Sequence, residues 1–202
     1  MPRATVPQAH SFLRRATRRL HHRIDQTSVL AALTIQGVTL DIYRTAMQSL
    51  ERAYGEIDRL LLRGSDLCPA SVPLYTPRVP SINRDLIALK MPLDHCRPAQ
   101  PHPQLMMPNT EADYLGMRYV VEGAQLGNRL IYNHLRATFG DQLREFGSFW
   151  MPGSVLQSSW PSLLKSLARM ESRESLAAAA RTARATFRHM EQYLAVAEKK
   201  EL

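Results

Sequence analysis

The sequence predicts a single all-α domain, on three observations. Apolar residues return at helical spacing along most of the chain. No stretch alternates with the period of two that a half-buried strand requires. Nine of the 13 prolines fall within residues 65–108, which leaves the rest of the chain free to form long helices. At 202 residues the chain can bury one sizeable core but has little length for a second. With 45% hydrophobic and 22% charged residues it has the composition of a globular protein. No apolar run nears the roughly eighteen residues of a membrane-spanning helix. Two cysteines, Cys68 and Cys96, cannot form a disulfide framework, so nothing argues for secretion, and a cytoplasmic, membrane-independent protein is expected.

Each element follows from local pattern. From about Pro7 to Asp25, residues Leu13, Ala16, Thr17, Leu20 and Ile24 mark one face of a first helix. Leu40, Tyr43, Met47, Leu50, Tyr54, Ile57 and Leu61 mark a second over Thr39 to Arg63, with Thr39 or Asp41 to cap it and Gly64 to end it. The proline-rich residues 65–108 predict extended structure around one short helix, Ile82 to Lys90. A long helix is expected from Asn109 to Phe139, capped by Thr110 and closed by Gly140. After the Gly/Pro interruption from Gly147 to Gly153, helices resume at Gln157 to Met170 and at Ser172 to Lys199. Residues 1–8 and 197–202 are expected to be flexible ends of a domain spanning 1–202.

Charge is the strongest compositional bias. Lys and Arg number 26 against 18 acids, a net +8, and 22 of the 26 are Arg. The guanidinium fork matches carboxylate and phosphate bidentately, so the excess points to anions: nucleic acid, an acidic protein or a small anionic ligand. The arginines are dispersed over several helices and no nucleic-acid recognition motif is present, which disfavours a basic nucleic-acid or interaction module. Residues 1–24 hold no acid and resemble an organellar transit peptide, although their helical pattern reads as part of the folded domain.

Two positions suggest chemistry. His21 falls at the edge of the apolar face of the first helix, with Arg14 and Arg18 along the same flank. Such a histidine could hold a metal belonging to an acidic ligand; spacing alone also fits a boundary histidine on a solvated basic helix. In the long helix, Gly123 and Gly127 share a face, in a run that also holds Gly116 and Val120. Glycine costs about 1 kcal/mol against alanine inside a helix, so a positional reason is implied. A flat ligand such as a porphyrin against that face is one reading, and a closely crossing helix is the other.

The residues also carry a resemblance. Arg14-Arg15-Ala16-Thr17-Arg18-Arg19-Leu20-His21 resembles the opening helix of heme oxygenases, where an Ala-Thr pair precedes the proximal histidine. Leu33-Thr34 with Leu40 to Tyr43 is similar to the start of their second helix, and Asp85-Leu86-Ile87-Ala88-Leu89 to their Asp-Leu-x-x-Leu piece. Leu115 to Gly127, reading LGMRYVVEGAQLG, closely resembles the distal-helix signature of bacterial biliverdin-forming heme oxygenases.

That resemblance implies a helical bundle with heme b sandwiched between the first helix and a glycine-kinked distal helix. It makes heme both substrate and cofactor, opened with O2 and external electrons to biliverdin, carbon monoxide and ferrous iron. His21 would be the proximal iron ligand, and Gly123, Gly127 and Asn128 the catalytic distal face. Arg14, Arg18 and Lys165 would meet the propionates, with Thr17 and Ala124 also against the heme. A ferredoxin or flavoprotein reductase would supply electrons, and a bacteriophytochrome is a conceivable acceptor of the biliverdin. Three departures stand out: Asn128 where many relatives have a second glycine, Ala124 where they often have Ser or Asp, and Lys90 where a glycine is usual. The first two bear on turnover, so a heme-binding protein of the same fold without turnover is the alternative.

Weaker features complete the reading. Arg118 and Arg129 are expected to be exposed or to face a partner. Asp94, His95, Cys96 and His102 share one proline-rich loop but fit no zinc pattern. Pro77 to Pro80 and Pro98 to Pro101 have P-x-x-P spacing that linker composition explains.

Overall fold

The computed structural model describes residues 6–93, 102–151, 155–170 and 172–195. It is a bundle of α1 (Val6–Thr27), α2 (Val29–Ala32), α3 (Leu40–Arg63), α4 (Val79–Ala88), α5 (Glu111–Phe139), α6 (Leu143–Phe146), α7 (Val155–Ala168) and α8 (Arg173–Leu194), with short 3-10 turns between some of them. Among the described residues no strand forms, and one isolated bridge joins Ser28 to Ala195. No described helix is long and apolar enough to cross a membrane.

Helix ends follow the predicted chemistry. The Thr39 hydroxyl accepts the Ile42 N–H at 3.3 Å, and Thr110 accepts the Asp113 N–H at 3.1 Å. Gly140 closes α5 at φ +59°, a conformation that disfavours any side chain. The short helix lies earlier than expected, at Val79–Ala88 rather than Ile82–Lys90, because Pro80 sits at its start, where a missing N–H costs nothing. Its N-terminus is capped from α3: Asp58 accepts the N–H groups of Arg78 and Val79 at 2.7 and 2.8 Å. Its C-terminus is a Schellman turn, with Lys90 N–H on Ile87 O and Met91 N–H on Leu86 O. Lys90 therefore takes φ +57°, in the left-handed region that the usual glycine would enter at no steric cost. α2 and α6 are too short to show a period in the sequence.

One core runs through the bundle, built from Leu13, Tyr43, Met47, Leu50, Ile57, Tyr114, Leu163 and their neighbours. Its tightest seam is between α5 and α8. A Cβ on Gly116 would lie 2.8 Å from the Ala179 carbonyl carbon, so the glycine, with the alanines of α8, brings the two backbones together. α1 and α5 both rest on α7 and α8 without packing side by side, and that separation leaves a cleft.

Asp85, the acid of the Asp-Leu-x-x-Leu piece, is fully buried and orders the cleft's floor. It accepts the Ser148 N–H (2.9 Å), the Ser148 hydroxyl (2.6 Å) and the Phe149 N–H (2.8 Å), capping the turn that carries Phe149 and Trp150. Trp150 Nε1 donates to Tyr43 Oη at 3.1 Å, and that hydroxyl donates to Phe146 O.

A candidate heme-binding cleft

The cleft has a volume of about 890 Å³. His10, Arg14, Thr17, Arg18 and His21 line it from α1, and Tyr119, Gly123, Ala124, Gly127 and Asn128 line it from α5. Leu50, Tyr54, Phe149 and Trp150 form its floor, and Phe187 and Met190 of α8 and Leu30 and Thr34 around α2 close it further. Across one end, His134 Nε2 lies 2.8 Å from the Ile35 carbonyl and ties α5 to the loop after α2.

His21 presents its ring to the cleft with one nitrogen already committed. Nδ1 lies 2.7 Å from Asp25 Oδ2, one helical turn on, so the carboxylate accepts Nδ1–H and Nε2 is the ring nitrogen left without a partner from Asp25. A carboxylate behind the imidazole is the usual support of a metal-binding histidine, and it fixes both tautomer and ring orientation. The ring also packs on Phe187, with centroids 5.7 Å apart. Thr17 is buried and turns its hydroxyl to Leu13 O at 2.9 Å, so it offers the cleft only its methyl surface.

The glycines of α5 divide into three roles. Gly116 serves the α8 crossing. A Cβ on Gly123 would lie 3.3 Å from the Trp160 ring, so an aromatic of α7 covers this glycine. Gly127 has nothing within 4 Å of where a Cβ would stand and opens directly onto the cleft. Leu126 and Leu130, both more than half exposed, add an apolar rim beside it. A close helix crossing thus accounts for Gly116, and no packing neighbour accounts for Gly127.

The polar end of the cleft holds more groups than the sequence suggested. Arg14 and Arg18 line it, and among the described residues neither has a carboxylate partner. Tyr119 lies beside them; burial raises its hydroxyl to about 12, with Arg14 pulling the other way, so it remains a protonated donor near neutral pH. His10, one turn before Arg14, meets Tyr119 and Trp160 edge-on with centroids 6.2 and 5.9 Å away. His10, Tyr119 and Trp160 escaped the sequence reading. The only trace was that His10 lies eleven residues, about three turns, before His21 on the same helix.

Two expectations are not met. Lys165 is exposed on α7 and does not line the cleft: five residues past Trp160, it points about 140° away from that ring. Arg118 is fully buried, not exposed. Its Nε and Nη2 donate to Glu122 Oε1 at 3.1 and 2.9 Å, and Nη1 donates to Pro73 O at 3.0 Å, while the guanidinium lies over Tyr75 and Tyr114. Burial is the largest influence and works against its charge, but Glu122 and Tyr114 together outweigh it and hold the guanidinium above its ordinary pKa. The second Glu122 oxygen accepts from Ser159 at 3.0 Å and Arg78 at 3.4 Å, which binds α5 to α7 just before Gly123 and Trp160. Arg129 is exposed, as expected. Of the loop constellation, residues 94–96 lie outside the described residues, as do 98–101 and the two chain ends. The His102 backbone N–H donates to His189, and no group of metal-ligating side chains occurs among the described residues.

The bundle, with His21 and a bare glycine face lining one apolar, cation-edged cleft, has a match among solved structures. The heme oxygenase of Neisseria meningitidis, determined in NO- and CO-bound forms, superposes with a TM-score of 0.69 over 92% of this chain and 89% of that one, at 17% identity. The chain therefore has the heme-oxygenase fold. No family model and no curated protein sequence matches it.

Proposed function

We propose that the protein is a heme oxygenase, cleaving heme with O2 and external electrons to biliverdin, carbon monoxide and ferrous iron. The observation that carries the reading is that His21 and the open Gly127 face line the same cleft. The residues present suit heme on every side. An imidazole whose Nδ1 is hydrogen-bonded to Asp25 offers its Nε2 to iron. A glycine surface with no Cβ accepts a flat ring at van der Waals distance. Leu126 and Leu130 offer apolar surface for a macrocycle to cover, and Arg14 and Arg18 offer two forks for two carboxylates.

Bound heme supplies the redox chemistry of the reaction, and this chain's residues bind and orient it. His21 would hold it through Nε2, while Arg14 and Arg18, with Tyr119 as a neutral donor, would orient it in the cleft. The backbone at Gly123 and Gly127 would set the room left for a flat group against α5, with Trp160 bounding that room on the Gly123 side. Asn128 brings a side-chain amide to the same face, and Ala124 brings no polar atom. Electrons would come from a ferredoxin or flavoprotein reductase, and the reading expects a cytoplasmic location.

Ala124 and Asn128 favour the second reading, a heme-binding protein of this fold without turnover. One experiment separates the two. Hemin is titrated into the protein, and an electron donor is then added under O2. Collapse of the Soret band into a bilin spectrum supports the oxygenase; a stable hemin complex under every donor supports the second reading.

A further inference from the structure

α8 carries a second charged face, remote from the cleft. Arg181, Arg184 and Arg188 stand at i, i+3 and i+7, within an arc of roughly 60° on the helix. Phe187 and Met190, the cleft residues of α8, lie about 90° and 150° round from the centre of that arc. The three arginines line a separate hollow of about 460 Å³, whose opposite wall is Gln104, Met107 and Asn109.

What distinguishes this bay is that none of its three arginines has an ion-pair partner among the described residues. Among the described residues, neither Arg181 nor Arg184 has a hydrogen bond or an ion pair, and Arg188 donates only to the neutral amide oxygen of Gln104. One acid, Asp113, lines the bay, and it is engaged elsewhere. Its Oδ2 accepts from Thr110 Oγ1 (2.8 Å) and Asn109 N (3.4 Å), and its Oδ1 accepts from Thr182 Oγ1 (3.0 Å), so it serves as helix cap and inter-helix tie. Like charges at i, i+3 and i, i+4 oppose helix stability, and here two such pairs are kept without relief. An anion seated between the forks would convert each repulsion into charge-assisted hydrogen bonds.

We propose that this bay binds a small polyanion carrying two or more phosphate or carboxylate groups. Size and spacing set that class. Arg181 and Arg188 are about 10 Å apart along the helix axis, too far for one phosphate to bridge, and the volume is that of a small-molecule site. The Gln104 and Asn109 amides stand ready for hydroxyl or ester oxygens of the ligand.

The test is calorimetric titration of the full chain, without hemin, with inorganic pyrophosphate in one arm and citrate in the other, at low and at high salt. It is repeated on R184A/R188A and, as control, on R14A/R18A. Saturable binding that weakens at least ~tenfold in R184A/R188A and persists in R14A/R18A supports the site; the arm that binds, or both, identifies the anionic group. An independent readout is the melting temperature without added anion, which R184A/R188A should hold or raise because repulsion is removed, and pyrophosphate should raise only in proteins that keep the bay. No saturable heat in either arm overturns the proposal. So does loss of binding in R14A/R18A but not R184A/R188A, which would place the anion in the cleft. Hemin binding by R184A/R188A should match wild type, so this outcome and that of the heme reading are separately decided.

Discussion

Gly127→Ala is expected to stabilise the protein while impairing heme binding, and the two effects can be worked out separately. Replacing an interior helical glycine by alanine gains about 1 kcal/mol, and nothing lies within 4 Å of the new methyl to oppose it. For a chain of this size that gain raises the melting temperature by roughly 2–4 °C. The same methyl stands in the space a ring plane would occupy, and forcing one into a filled site costs about 1–3 kcal/mol, or roughly 5- to 150-fold in affinity. Gly116→Ala should do the reverse in the apo protein: its methyl would meet the Ala179 carbonyl carbon at 2.8 Å, backbone that no rotamer change can clear, and the α5–α8 seam must open. A net loss of about 2 kcal/mol or more is expected there despite the better helix propensity. Thermal melts of both variants, followed by hemin titrations of Gly127→Ala, check the whole chain of reasoning. A Gly127→Ala protein that melts lower than wild type, or binds hemin equally well, refutes it.

Three further outcomes follow from particular contacts. Arg118→Leu leaves the buried Glu122 carboxylate without its bidentate partner and should cost about 3–5 kcal/mol in urea unfolding, with Arg118→Leu/Glu122→Leu recovering much of that loss. Lys90→Gly removes a side chain from a φ of +57° and should raise stability by about 1 kcal/mol, visible as a shift in urea midpoint at constant slope. His189 is buried, its Nε2 against Ala53 O and its Nδ1 accepting from His102 N–H; burial holds its pKa below the ordinary value, opposed by the Ala53 bond and Glu56 and reinforced by His102. In the unfolded chain it takes a proton near pH 6.5 and in the folded protein only lower down, so its contribution is complete above that pH and is lost as pH falls. Unfolding free energy should therefore decline below about pH 6.5, by at most about 1.4 kcal/mol per pH unit from this group, and His189→Gln should flatten that slope.

The fold was legible because long helices state their period and their caps: Thr39, Thr110 and Gly140 act where the sequence placed them. The Thr17-to-His21 and Gly123-to-Asn128 stretches converge on one cleft for the same reason, since each shares a face of a single helix. Features depending on which helices meet were not legible. Arg118 reads as a surface arginine until α7 and the 73–78 segment close around it and Glu122. Lys165 reads as a cleft cation until the rotation of α7 is known. Trp160 covers Gly123 from 37 residues away, a contact no local pattern encodes. Lys90, by contrast, was flagged by its departure from glycine, and its φ confirms that the position calls for the residue it lacks.

The most direct test is a hemin titration of the folded protein beside His21→Ala, followed by reduction under O2 and chromatography of the products. A saturable one-to-one Soret band in wild type, a changed ligand-field spectrum in His21→Ala, and a bilin peak after turnover are expected. A folded wild-type protein with no saturable hemin spectrum would contradict the assignment of the cleft altogether.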